Sequence, residues 1–260
     1  SSLKELRISV YWFIVMSSQR RKIMKIGILL TDHVMDKLRI KHGDMDDFYL
    51  YIFDQVDSSI SLEIFDVVEG SYPKHIDDCQ GYLITGSRLS VYDNVEWIKK
   101  LKRFVLELHQ LKKPLVGVCF GHQLIAQVLG GEAKEAESGW TVGSQTYNFV
   151  KELPWLTKNI SSVKLLHSHK DQVTQLPSNA ELVASTEKVP IAMFCVEDHI
   201  FSHQGHPEFK PDYVRDVATI RREVLGEKIY VKAIDNLKKE IPDNEIVAKW
   251  WVNFFRSKTQ

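Results

Sequence analysis

The chain has 260 residues, 44% of them apolar, enough to bury one large α/β core and too many for a chain that stays disordered. Lys plus Arg and Asp plus Glu number 34 each, and this neutral total predicts neither nucleic acid nor an anionic membrane as the main partner. Three cysteines, Cys79, Cys119 and Cys195, are too few and odd in number for a disulfide framework; they fit a reducing, cytoplasmic setting in which one thiol is used chemically.

Residues 1–23 read as an N-terminal extension. Its apolar run, Ile8–Met16, is too short to span a bilayer, and no small-residue cleavage pattern follows it. That leaves an appended helix or strand, or sequence ahead of a start at Met16 or Met24. Met24–Leu30 is continuously apolar, as expected of a parallel strand covered on both faces. Gly43–Val56 carries Phe48, Ile52 and Val56 at helical spacing. Ser61–Val67 is the next strand, Glu69–Asp78 is rich in turn residues, and Gly81–Thr85 is a short strand ending at Gly86-Ser87. Asn94–Leu111 is a helix with Trp97, Leu101, Phe104, Val105 and Leu108 on one side. Pro114–Val118 is a strand and Gly121–Leu129 a helix stopped by Gly130-Gly131.

After Gly139 the pattern changes to short strands at Trp140–Val150, Val163–Leu166, Glu181–Ser185, Ile191–Val196 and Ile200–His203, with Glu197-Asp198 as a hairpin turn. Pro211–Val224 is a helix turning Val214, Val217 and Val224 inward. The tail from Asp243 to Arg256 places Ile246, Val247, Trp250, Trp251, Phe254 and Phe255 on a broad helical face that Asp243 could cap. Such a face either packs on the domain or forms a dimer or partner surface. Strands alternating with helices argue for a mostly parallel central sheet with helices on both faces. The expected fold class is therefore α/β, a flavodoxin-like three-layer sandwich with an added small antiparallel sheet. The expected units are the extension at 1–23, a main domain at 24–226 and a C-terminal helical appendage at 227–260.

Gly117-Val118-Cys119-Phe120-Gly121 lies where an apolar strand meets a helix, a thiol version of the G-x-S-x-G elbow. Glycines on either side remove the Cβ atoms that would clash in so sharp a turn. The following helix directs its dipole and free N–H groups at the sulfur, which favours thiolate and can receive a tetrahedral oxyanion. Cys79 and Cys195 lack such a setting and read as small buried hydrophobes. Gly205-His206-Pro207-Glu208 closes a late strand. Pro207 holds His206 extended, so the imidazole and the Glu208 carboxylate can meet, the carboxylate fixing the tautomer. His122, His167 and His169 compete for the role of base; His122 lies inside the new helix, and the other two flank Ser168 as candidate turn residues. With no HExxH or CxxC spacing among the ten histidines and three cysteines, no metal or other cofactor is expected.

Together these stretches resemble the class I glutamine amidotransferase (triad) family, over about Met24 to Leu225. GVCFGHQ at 117–123 is similar to the family's nucleophile signature and GHPEF at 205–209 to its histidine–glutamate signature; TGSRLSVYD at 85–93 and HSHKDQV at 167–173 resemble two further family segments. The resemblance implies that Cys119 attacks a γ-carbonyl and forms a γ-glutamyl thioester, that His206 is acid and base, and that Glu208 orients it. It implies an oxyanion hole from the N–H groups of Gly86 and Phe120, and a substrate-binding role for Gln123. Ser87-Arg88 replaces the Ser-Pro common in synthetase-linked members, so Arg88 either faces substrate carboxylates or is an ordinary surface arginine.

HGDMDDFYLYIF at 42–53, ESGWTVG at 137–143 and VEDHIFSHQGHPEF at 196–209 look more like the stand-alone γ-glutamyl peptidases of plants. The Asp46-Asp47 pair departs from them if that loop must hold a large apolar conjugate. No S-G-G-x-D-S loop, Walker A loop or Rossmann fingerprint marks an ATP-using synthase domain. The expected activity is hydrolysis of a γ-glutamyl amide or peptide, with a small molecule as partner. The alternatives are a glutaminase subunit serving a separate synthase, and a non-catalytic binding module; a homodimer is compatible with each.

Overall fold

A computed structural model describes residues 23–259; apart from Ile23, the expected extension at 1–23 lies outside the described residues. In chain order the elements are β1 (Lys25–Leu30), α1 (Asp36–His42), α2 (Met45–Asp57), β2 (Ser61–Asp66), a 3-10 turn (Ile76–Asp78), β3 (Gly81–Ile84), α3 (Glu96–Gln110), β4 (Leu115–Val118), α4 (Phe120–Val128) and β5 (Glu132–Glu135). There follow β6 (Thr141–Phe149), β7 (Ser162–His169), β8 (Asp171–Gln175), β9 (Ala180–Ser185), β10 (Met193–Val196), β11 (Ile200–His203), α5 (Pro211–Ile220), α6 (Arg222–Leu225), α7 (Glu227–Lys239) and α8 (Asn244–Ser257).

The apolar runs become strands buried on both faces: every residue of β3, β4, β10 and β11 is buried. Side chains alternate between two cores, as a period of two requires. Leu83 and Val116 face one core with Tyr49, Phe53, Trp251 and Phe255. Tyr82, Ile84 and Leu115 face the other, with Leu101, Val105 and Leu124 of α3 and α4. The strongly amphipathic α3 and a capping box at Asp44, whose N–H donates to the Asp47 carboxylate over 2.8 Å, explain where α3 packs and where α2 begins.

The sheet corrects the expected fold class. It is nine-stranded and mixed, in the order β2-β1-β3-β4-β11-β10-β9-β6-β7. The strands from β2 to β11 run parallel, but β10, β9, β6 and β7 continue the same sheet antiparallel. The architecture is an α/β sandwich, not a flavodoxin-like, mostly parallel one. The reason is connectivity. A parallel pair needs a crossover of about a dozen or more residues, usually a helix. Between β5 and α5 no α-helix occurs among the described residues, so short connections make β9 pair antiparallel with β10, and β10 with β11. The separate antiparallel sheet is the two-stranded β5–β8, built from largely exposed residues whose polarity concealed it.

The C-terminal end also departs in detail. The helix expected over 211–224 stops at Ile220, and α6 is a separate turn that buries Leu225 and leaves Val224 68% exposed. Asp243 stands at the N-cap of α8, but its carboxylate accepts from the Lys164 N–H at 2.7 Å instead of capping the helix. Trp250, Trp251, Phe254 and Phe255 are at most 1% exposed. Trp251 stacks on both Tyr49 and Phe53 of α2. This aromatic face therefore packs on the domain and offers no free dimer surface. No helix among the described residues is long and apolar enough to cross a membrane.

Candidate active site

β4 and β11 lie side by side in parallel register, Val118 opposite His203, so the segments that follow them emerge at the same sheet edge. Cys119 leaves β4 with φ +52° and ψ −102°, a left-handed backbone that a side chain rarely adopts. Its N–H donates to the His203 carbonyl at 3.1 Å. A Cβ on Gly117 would lie 2.8 Å from the Gly121 carbonyl carbon, and one on Gly121 would lie 2.5 Å from the Ile84 oxygen. Both glycines are thus required by close approach. Cys119 occupies the N-cap of α4 without making a side-chain cap bond, so its thiol is not consumed by the helix. The Phe120 N–H opens α4, where amides lack intrahelical partners. Gly86 faces the same point: a Cβ there would come 2.9 Å from His206 Cε1 and 3.5 Å from Cys119 Cβ. The Gly86 carbonyl is held by the Thr31 hydroxyl at 2.8 Å.

His206 is buried, and its Nδ1–H donates to Glu208 Oε1 at 2.7 Å. Its other nitrogen is left for Cys119. Phe209 lies flat against the imidazole, 3.8 Å between centroids and 7° between planes. Burial lowers the imidazole's pKa, but the charges of Glu208 and Cys119, with hydrogen bonds to both, outweigh it and raise it to about 10. Glu208 has a fully buried side chain. Its Oε1 also accepts from the Tyr49 hydroxyl at 3.0 Å, while Oε2 has no partner among the described residues. Burial, then the Glu208 charge, pushes Tyr49 well above the usual phenol range, so it stays a donor. Cys79 and Cys195, by contrast, are pushed up to about 11 by burial and sit in the cores.

The competing histidines are engaged elsewhere. His122 binds the Ser202 hydroxyl at 2.8 Å and the Ile191 carbonyl at 3.1 Å; burial brings it down to about 3 despite the Ile191 bond. His167 and His169 lie on β7 and not in a turn. They form a directional chain: the Gly205 N–H donates to the Tyr147 hydroxyl, which donates to His167 Nε2; His167 Nδ1–H donates to His169 Nε2, and His169 Nδ1–H to the Asp171 carbonyl, each over 2.8 Å. Burial lowers both, which keeps the chain neutral and fixes the loop before His206.

Two supports escaped the sequence reading. Gln204 Nε2 donates to Cys119 Sγ at 3.4 Å, and its Oε1 accepts from Gln123 Nε2 at 3.1 Å. Gln123 also donates to the Asp171 carbonyl at 2.9 Å. Gln123 thus reaches the sulfur through Gln204, whose place two residues before His206 is the only sequence hint. The second support is Tyr49, which lies inside the helix expected over Gly43–Val56 but is not among its spaced residues Phe48, Ile52 and Val56. Behind it, Trp251 Nε1–H donates to His203 Nε2 at 2.8 Å, and His203 Nδ1–H donates to the Gly205 carbonyl at 2.9 Å.

Cys119, His206, Gly86 and Gln123 line one cavity of about 250 Å³, with Glu208 and Phe120 behind them. Arg88 also lines it, but its guanidinium is paired with Asp32, at 2.8 Å from Nη2 to Oδ1 and 2.9 Å from Nε to Oδ2. The arrangement places a thiol, a carboxylate-oriented imidazole and helix N-terminal amides around one reaction volume.

The chain is similar to known proteins in sequence and in fold. The model of the family "Glutamine amidotransferase class-I" matches residues 57–224. Gamma-glutamyl peptidase 4 of Arabidopsis thaliana is 30% identical over 202 residues, covering 75% of this chain and 80% of that protein. Gamma-glutamyl peptidase 2 of the same plant is 28% identical over 209 residues, covering 78% and 84%. In fold, a glutamine amidotransferase from Thermotoga maritima superposes with a TM-score of 0.69 at 18% identity, covering 91% of this chain and 98% of that one. The family match spans well over half of the chain, which therefore belongs to the class-I glutamine amidotransferases.

Proposed function

We propose that the chain hydrolyses γ-glutamyl amide or peptide bonds through a γ-glutamyl thioester on Cys119. The observation that carries this reading is the Cys119 elbow opening into the same cavity as an imidazole held by a buried carboxylate. His206 takes the thiol proton, and the sulfur attacks the γ-carbonyl. The oxyanion forms against the N–H groups of Gly86 and Phe120. Its collapse breaks the C–N bond as His206 returns the proton to the leaving amine. His206 then deprotonates water, which attacks the thioester; glutamate leaves and the proton returns to Sγ. Glu208 holds His206 in the tautomer that faces the sulfur and stabilises the imidazolium. In this reading residues 24–226 carry the chemistry and the helices of 227–260 brace it. The names of the relatives support a peptide bond as the target, since the leaving amine alone distinguishes the two substrate types.

The test is steady-state hydrolysis by the purified chain alone, comparing glutamine, a γ-glutamyl dipeptide and glutathione. Robust turnover of the peptides is expected. Feeble turnover of all three, with a reactive Cys119 thiol, would instead point to a glutaminase that needs a synthase subunit.

A further inference from the structure

The leaving amine departs on the His206 side, and the wall there is one face of α5. Phe209 stacks on His206, and Tyr213 meets Phe209 edge-on with centroids 4.8 Å apart. From that point Tyr213, Val214, Val217 and Arg221 all line the cavity, at spacings that share one helical face. The wall begins beside the base, continues apolar and ends in a guanidinium.

That guanidinium differs from the other charges of the cavity in having neither an ion pair nor a side-chain hydrogen bond among the described residues. Arg88 is paired with Asp32, and Lys170 with Glu135 at 2.7 Å. His33 lies between Asp44 and Asp66, and the Asp171 carboxylate accepts from the Ser90 and Tyr92 hydroxyls. Among the described residues Arg221 has no side-chain hydrogen bond and no ion pair; its guanidinium lies over the Trp140 ring, 5.5 Å from Cζ to centroid. Burial lowers its pKa, against the influence of Tyr213, and Arg88 lowers it further, while Asp32 and Cys119 pull the other way. Arg221 is half-buried, and a cation partly withdrawn from water with no ion pair of its own gains when a ligand supplies the anion. A planar guanidinium fits a carboxylate in bidentate fashion, and an aromatic face behind it holds its plane.

We propose that Arg221 anchors the free carboxylate of the leaving amine, so that the preferred substrate is a γ-glutamyl peptide ending in a carboxylate and not an uncharged amide. This rests on the γ-glutamyl hydrolysis proposed above. The wall sets the length. Eight residues from Tyr213 to Arg221 rise about 12 Å at 1.5 Å each, and the arginine leans back toward the helix N-terminus. One extended residue covers only about 3.5 Å, so two residues beyond the scissile bond suit the gap better than one. The apolar stretch at Val214 and Val217 faces the first of them.

The experiment compares kcat/KM for γ-Glu-Ala-Gly, its C-terminal amide, γ-Glu-Ala and glutamine, with the wild-type chain, Arg221→Gln and Arg221→Lys. The wild type is expected to prefer the free acid over the amide at least tenfold, and the longer peptide over the dipeptide. In Arg221→Gln the acid-to-amide ratio falls to near one; in Arg221→Lys part of it survives. Equal use of acid and amide by the wild type overturns the inference and leaves γ-glutamyl hydrolysis standing. An equal loss on all four substrates in Arg221→Gln also overturns it, because the guanidinium would then serve the glutamyl half or the fold. If the wild type hydrolyses none of the four and no acyl-Cys119 forms, the hydrolysis reading itself falls.

Discussion

Cys119 and His206 follow the ends of neighbouring strands, yet they are held in place by different means. Cys119, the proposed nucleophile, is fixed locally. The turn from β4 into α4, two glycines in close approach and a positive φ all lie within residues 117–121. His206, the proposed base, is fixed from a distance. Its carboxylate partner takes a hydrogen bond from Tyr49 on α2, the strand before it is held through Trp251 on α8, and the Gly205 N–H is held by Tyr147 on β6. A local device depends on a few adjacent residues and fails outright when one changes. A distributed device spreads the same task over contacts that fail by degrees.

The largest effect should come from the local half. Cys119→Ala removes the group proposed to form the thioester, so turnover should vanish with thermal stability nearly unchanged. Residual hydrolysis at the wild-type rate would show that the elbow is architecture without chemistry. Gly121→Ala tests the same half without touching the sulfur. Its new Cβ would lie 2.5 Å from the Ile84 oxygen and 2.7 Å from the Ile84 Cβ. Backbone must shift, which should cost about 1–3 kcal/mol in denaturant unfolding and misplace the thiol.

The base half should respond more gently. Glu208→Gln keeps the shape and removes the charge that raises His206, and the rate should fall by about 10²–10⁴-fold, the usual weight of general acid–base catalysis. The pH dependence of stability gives a second reading. His206 is raised from 6.5 to about 10 in the folded chain. Its contribution is therefore complete below about pH 6.5 and is lost as pH rises through about 10. In Glu208→Gln that alkaline loss should shrink and be complete at lower pH. Unfolding curves between pH 6 and 10 check this, and an unchanged slope would mean that the pair does not titrate as a unit.

The same contrast decides what could be read from the sequence. The elbow was legible because its geometry is demanded by adjacent residues: a glycine pattern at 117–121 states where the chain must turn. The parallel strands were legible because burial on both faces leaves a continuous apolar run. The antiparallel continuation from β10 to β7 was not, since a short strand looks the same whether it extends the main sheet or starts another. What decides is the absence of a crossover helix, a fact about connections and not about any strand. Tyr49 was visible only as a residue within the helix expected at 43–56 and Trp251 only as part of an apolar helix face, because a buried hydroxyl and an indole N–H carry no periodic mark of the partner they will meet. Arg221 lay one residue beyond the true end of α5, inside a helix expected to run on to Val224, where its place at the cavity could not be seen.

The smallest effects are the most discriminating. Tyr49→Phe deletes the hydroxyl that donates to Glu208 and leaves that buried carboxylate with His206 as its sole partner among the described residues. Losing a hydrogen bond to a charged group costs about 1.5–3 kcal/mol. Some of this should fall on stability and some on kcat, with KM nearly unchanged because Tyr49 is not among the residues lining the cavity. Trp251→Phe goes one contact further back. It keeps an aromatic ring against Tyr49 and Phe53 but removes the donor to His203. Burial holds His203 near a pKa of about 3, so its Nε2 would be left neutral and unpaired, at a cost of about 1–3 kcal/mol. If the base is braced from a distance, Trp251→Phe should lower stability clearly and kcat only a few-fold, in the same direction as Tyr49→Phe. The double variant should then lose less kcat than the product of the two single losses, since both act on one segment. Independent, fully multiplicative losses would show that α8 supports the fold alone, and that the bracing of Glu208 ends at Tyr49.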